Sequence, residues 1–168
     1  MTNESQRFDR IPATAGDRED PEAATREEVL AFFEESYGID SSVFGDHTIW
    51  ERGSGKLWAF RGDAPSPVAI QGLGMTLLRT RQEHWKPTTD AIQRFGQHAT
   101  RNVVTLEAAE AAAFVAGEDQ ELERWDGEWG YLIVAHEIAG DVEPIGVGLY
   151  LRGELRSQIP KGRRRELG

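Results

Sequence analysis

Ile145-Gly146-Val147-Gly148-Leu149-Tyr150-Leu151-Arg152 sets large apolar residues against glycine, tyrosine and arginine in strict alternation. A period of two is the mark of a half-buried strand. Upstream, Gly130-Tyr131-Leu132-Ile133-Val134-Ala135 reads as a second strand, and downstream Arg152-Gly153-Glu154 turns into a third over residues 155–159. Before these, residues 74–81 predict a strand. Pro87-Thr88-Thr89-Asp90 opens a short helix that carries Ile92 and Phe95 and stops at Gly96. Residues 102–104 predict a short strand, and Thr105 is the expected cap of an Ala-rich helix over 106–116, closed by Gly117. Residues 118–128 are acidic and read as a loop. Strand, helix, strand, helix and then a run of strands predicts a small, mostly antiparallel β-barrel with flanking helices, in the α+β class.

The first half has its own pattern. Thr25 with Glu28 three residues on is a capping box; Val29, Leu30, Phe32, Phe33 and Tyr37 give an apolar helix face, and Gly38 is the stop. Residues 43–51 and 56–61 predict strands joined by Arg52-Gly53-Ser54-Gly55, a hairpin-type loop. This small α/β unit, residues 23–66, is too small to hold a large core alone and should dock on the second half of the chain. Asp63-Ala64-Pro65-Ser66-Pro67 marks the expected boundary, with the second domain over 72–168. Residues 1–22 hold only Phe8 and Ile11 as large apolar residues and predict a flexible arm.

Composition narrows the function classes. The 168 residues contain no cysteine, which removes disulfides, thiolate metal sites and a Cys nucleophile. His47, His84, His98 and His136 are scattered, without metal-ligand spacing. No window is apolar enough for a membrane span, and Met1 to Arg10 is polar, so a cytoplasmic protein is expected, without a membrane partner. The net charge is −10, and only Lys56, Lys86 and Lys161 are lysines among 19 basic residues. An acid-rich, lysine-poor surface points to a salt-adapted, halophilic source, since concentrated salt screens the self-repulsion; an ordinary acidic protein from a high-GC genome is the alternative. The last 17 residues run against the trend, with six basic and two acidic side chains.

A series in the second half carries a family resemblance. It runs Gly72-Leu73-Gly74, Trp85-Lys86-Pro87-Thr88, Arg94-Phe95-Gly96 and Arg101-Asn102-Val103-Val104. It continues through Gly130-Tyr131-Leu132-Ile133 and the 145–150 strand to Ile159-Pro160-Lys161-Gly162-Arg163-Arg164-Arg165. The series, over about residues 72–167, resembles the PUA-like RNA-binding domain of the NOP/Sun family of RNA cytosine-C5 methyltransferases, particularly its archaeal form. The resemblance implies a PUA-like barrel that binds RNA (rRNA or tRNA), with an RNA methyltransferase subunit as a further partner. The chemistry of that family does not carry over. Its C5 methylation needs a Cys to attack C6 of the ring, and these residues contain none and no glycine-rich turn for S-adenosylmethionine. The expectation is therefore no catalytic residue, no cofactor and no metal. Two alternatives remain: a protein-binding adaptor, and a stand-alone RNA-modifying enzyme.

Candidate RNA contacts follow from charge. Arg152, Arg156, Lys161, Arg163, Arg164 and Arg165 form the basic end, and guanidinium groups suit phosphate oxygens. Trp85 and Lys86 precede a helix start, with Arg79, Arg81 and Arg94 near in sequence. Trp85 stacks on a base or fills the core, the core reading being favoured; Lys86 meets a phosphate or is structural, evenly. Gly146 and Gly148 admit an RNA backbone or, the favoured reading, tight packing. Gly53-Ser54-Gly55-Lys56 lacks phosphate-loop spacing and reads as a hairpin turn, and His136-Glu137 reads as a surface pair.

Overall fold

Thr25 and Glu28 close their capping box at the start of α1 (Arg26–Tyr37) in the computed structural model, which describes residues 7–163. Gly38 ends the helix in the left-handed conformation at φ 64°, as the sequence requires. Beside α1 lies a six-stranded antiparallel sheet. It contains β1 (Arg7–Arg10), β2 (His47–Arg52), β3 (Lys56–Arg61), β4 (Val68–Ala69), β5 (Met75–Arg79) and β6 (Lys86–Pro87), in the order β4-β1-β2-β3-β5-β6.

Three sequence expectations change here. Residues 7–10, read as part of a flexible arm, are a strand paired with β2 and β4, and Phe8 is fully buried. Its partners Trp50 and Leu73 lie far along the chain, so local composition could not reveal them. The strand expected over 74–81 belongs to this first sheet, paired with β3, and does not start the barrel. Residues 41–44 form a 3-10 turn, so β2 begins only at His47.

The second sheet has the order β7-β9-β10-β11-β8 and curls into a half-barrel. Its strands are β7 (Val103–Leu106), β8 (Gln120–Glu121), β9 (Gly130–Ile138), β10 (Asp141–Leu151) and β11 (Glu154–Ser157). All neighbours are antiparallel except β7 and β9. Helix α2 (Thr89–Phe95), capped by the Thr88 hydroxyl, lies between the sheets, and α3 (Ala108–Val115) covers the half-barrel. Thr105 is not the cap of α3: it pairs in β7, and Glu107 makes a capping box with Glu110. The acidic segment expected to be all loop contains β8.

Why β9 carries an unbroken apolar run becomes clear from its two faces. Leu132 and Val134 enter the half-barrel core with Phe114, Leu155 and Ile159. Ile133 and, on β10, Val147 point the other way, into a core shared with Phe33, Phe44, Leu78, Ile92 and Phe95. A strand buried on both faces needs apolar residues at successive positions. The two units are therefore fused through a common core. The Tyr37 hydroxyl donates to the Tyr131 carbonyl at 2.9 Å, and Asn102 Nδ2 donates to the Ser36 carbonyl at 2.6 Å. Burial, and then Tyr131, push the Tyr37 hydroxyl pKa up, so it stays a donor.

Gly146 and Gly148 serve packing. A Cβ on Gly146 would lie 2.6 Å from Ile159 Cδ1, and one on Gly148 would lie 2.5 Å from Leu155 Cδ1. Their faces are filled by the half-barrel core and are closed to any RNA backbone.

Candidate nucleic-acid interface

Strand register, invisible in the sequence, builds a row of cations. Lys56 on β3 stands opposite Arg79 on β5, and Arg79 stands opposite Lys86 on β6. Directly opposed residues of antiparallel strands share a face. Arg52 on β2 pairs with Lys56 and extends the row, but its guanidinium lies 4.8 Å from the Trp58 ring and 5.1 Å from that of Phe8. It also donates to the Gln71 carbonyl at 2.6 Å, so Arg52 is held by the fold.

Lys56 and Arg79 are exposed and, among the described residues, have no hydrogen-bond or ion-pair partner from their side chains. Lys86 is half-buried; its ammonium donates to Gln158 Oε1 at 2.7 Å and lies 5.7 Å from the Tyr131 ring centroid. Burial, and secondarily Arg79, hold its pKa below the usual lysine value. Like charges directly opposite one another destabilise a sheet.

The row forms one wall of a cleft of about 370 Å³ where the sheets meet. Gln158 and Arg163 line it from the end of the half-barrel, and Asp90 from α2. Arg163 pairs with Asp90 at 2.7 Å, and Asp90 also accepts from the Thr76 hydroxyl at 3.1 Å. The cleft thus gathers three of the residues expected from sequence, Arg79, Lys86 and Arg163. It adds Lys56, which the sequence reading assigned to a hairpin.

The other expected contacts are dispersed. Arg81 pairs with Glu22 at 3.0 Å and packs against Gly55, whose missing side chain leaves it room. Arg156 pairs with Glu154 at 2.8 Å. Arg152 sits at φ 54° in the β10–β11 turn, Arg94 is exposed on the last turn of α2, and Lys161 is exposed in a 3-10 turn. Trp85 is half-buried, its ring 5.7 Å from that of Phe32, so it serves the core while keeping an open edge. Arg164 and Arg165 lie outside the described residues. His136 hydrogen-bonds the Leu106 carbonyl through Nδ1. Among the described residues no group of three or more His, Asp or Glu could hold a metal ion. No helix there is long and apolar enough to cross a membrane.

Residues 101–165 match the methyltransferase RsmF PUA domain. The second unit is therefore a PUA-like domain of methyltransferase type, which indicates an RNA-binding role. Residues 1–74 match a family of unknown function, DUF7122. No curated protein matches the chain. The PUA match begins at residue 101, two residues before β7, in keeping with β5 and β6 lying in the first sheet. The matched families include no catalytic methyltransferase domain. The basic cleft lies between the PUA-like half-barrel and the sheet that precedes it.

Proposed function

We propose that this protein binds RNA without catalysing a reaction on it, and that it acts in rRNA or tRNA modification or ribosome maturation. The observation that carries the reading is the opposed row Lys56, Arg79 and Lys86 at the edge of the PUA-like unit. A phosphate backbone laid across the row relieves the repulsion within it. Phosphate contacts of this kind set position and affinity without reading sequence. Arg163 joins the row when it exchanges Asp90 for phosphate. Lys161, Arg164 and Arg165 continue the basic end from the same side of the sequence.

A non-catalytic role is supported by the residues themselves. They provide no Cys to attack a pyrimidine ring and no glycine-rich cofactor turn. Chemistry on the RNA would then come from a partner, an RNA methyltransferase subunit being the natural one given the domain type. The acidic, lysine-poor surface supports a halophilic, archaeal-type cytoplasm as the setting.

The test is fluorescence anisotropy with labelled tRNA, an rRNA hairpin and a DNA duplex of equal length, with a parallel assay for label transfer from S-adenosylmethionine. RNA binding that exceeds DNA binding, with no label transferred, is the expected result. Absence of RNA binding at low salt removes the reading, and label transfer by the pure chain replaces it with an enzyme.

A further inference from the structure

On the other side of Tyr131 lies a groove of opposite character. It has a volume of about 750 Å³, within the range of binding pockets, and sits between α1, the 83–85 segment and the half-barrel strands β9 and β10. Its walls are aromatic: Phe32, Trp85, Trp129 and Tyr131. Trp129 is 58% exposed, with the His84 ring edge-on at 5.0 Å. Its carboxylates come from three separate segments: Glu35 on α1, Glu83 and Glu128. No Lys or Arg lines it. Among the described residues the side chains of Glu35 and Glu128 have no ionic partner, and Glu83 only reaches His84 at 4.0 Å.

We infer that this groove docks a basic segment of a partner protein, with an arginine side chain seated between the aromatic walls. The charge decides the occupant. Three carboxylates without a Lys or Arg partner line the groove and repel a phosphate backbone, more weakly as salt shortens the screening length. They attract a cation, and the indole faces of Trp85 and Trp129 bind a cation through the ring quadrupole, whereas the Tyr131 ring already has the Lys86 ammonium 5.7 Å from its centroid. Arginine fits better than lysine because its planar guanidinium can stack on an indole and fork to a carboxylate in one pose. An uncharged apolar partner would gain nothing from the three carboxylates that line the groove. The surface is separate from the basic cleft, so RNA and protein partner would occupy the molecule together.

The experiment uses the full chain and a blocked hexapeptide of alternating Arg and Gly, with binding followed by titration calorimetry. Two further peptides replace Arg by Lys or by citrulline, which keeps the shape and removes the charge. A short oligouridylate tests the nucleic-acid alternative. The expected order is Arg above Lys, with citrulline at least tenfold weaker. Glu35→Gln, Glu83→Gln and Glu128→Gln together, and separately Trp129→Ala, should each weaken the Arg peptide at least tenfold. Neutralising Glu118, Glu121 and Glu123, exposed acids of the 118–128 segment, should leave it within twofold. Equal binding of the Arg and citrulline peptides overturns the inference. So does equal loss in the 118/121/123 variant, which would make the attraction a property of net charge. Oligouridylate that, with no peptide present, binds wild type and loses affinity on Trp129→Ala, or binds better after the Glu→Gln changes, assigns the groove to RNA instead. No peptide binding by wild type at low salt also refutes it, and the Lys56, Arg79 and Lys86 substitutions test the basic cleft independently of the peptide results.

Discussion

Replacing Lys56 by Ser, Arg79 by Ser and Lys86 by Gln together should move RNA affinity and fold stability in opposite directions. Removing one phosphate contact lowers the dependence of log K on log salt by about 0.7 for single-stranded RNA, so removing three lowers it by about 2. Between 50 and 200 mM salt, the affinity gap between wild type and variant should then narrow roughly 20-fold. Stability should not suffer. Lys56 and Arg79 are exposed and unpaired, and Lys86 gives up one hydrogen bond to Gln158 while it sheds a half-buried charge. Cross-strand pairs are worth roughly 0.2–1 kcal/mol, and the three removed here, Arg52–Lys56, Lys56–Arg79 and Arg79–Lys86, join like charges. A melting temperature equal to or slightly above that of wild type is expected, the gain being largest at low salt. Anisotropy titrations across salt, paired with thermal melts, read both effects. Parallel salt slopes for two folded proteins would show that the row does not touch phosphate. A large drop in melting temperature would show that the row supports the fold.

Other perturbations act on single interactions. Asp90→Asn removes the carboxylate from the cleft and frees Arg163, so RNA affinity should rise several-fold at low salt; a fall in the same titration would place Asp90 outside the RNA path. Gly148→Ala puts a methyl 2.5 Å from Leu155 Cδ1 and 3.0 Å from Val134 Cγ2 and should cost about 1–3 kcal/mol in urea unfolding, whereas Gly72→Ala, with open space around it, should be near neutral. His47 has a buried Nδ1 without a hydrogen-bond partner, and its pKa is held low by burial first, then by Arg61 and Arg94. The unfolded chain therefore takes up the proton first, from about pH 6.5, and stability is full above that value and declines as pH falls toward the folded pKa. Urea midpoints measured against pH should show this decline in wild type and a flatter curve in His47→Phe; superimposable curves would dismiss His47 as the cause.

Local signals in the chain were strong where a short segment decides its own conformation. The Thr25–Glu28 capping box, the left-handed stop at Gly38, the Thr88 cap and the hairpin about Gly53 all form as their residues demand. Each depends on backbone groups within a few residues, so sequence and geometry are nearly the same statement. Thr105 shows the limit. It has the chemistry of a cap, yet pairing with Ala135 takes it into β7 and passes the cap to Glu107. Phe8 and Ile11, isolated in a polar segment, were silent about β1 because the residues that bury them are distant in the chain, with Trp50 and Leu73 over Phe8 and the Ile49 carbonyl bonded to the Ile11 amide.

The site divides along the same line. That the chain is cysteine-free, acidic, poor in lysine and basic toward residues 152–168 is settled by the residues alone, and the PUA-like series was legible there over 101–165, while its 72–87 part belongs to the first sheet. Which of its basic side chains stand side by side was decided by strand register. Lys56, Arg79 and Lys86 are separated by 23 and 7 positions, and only the antiparallel pairing of β3, β5 and β6 sets them side by side. Arg81 and Arg156, equally basic in sequence, find carboxylates once the chain is folded and leave the set. A charge acts at a distance of a few ångströms, and along a folded chain that distance is fixed by topology far more than by spacing in the sequence.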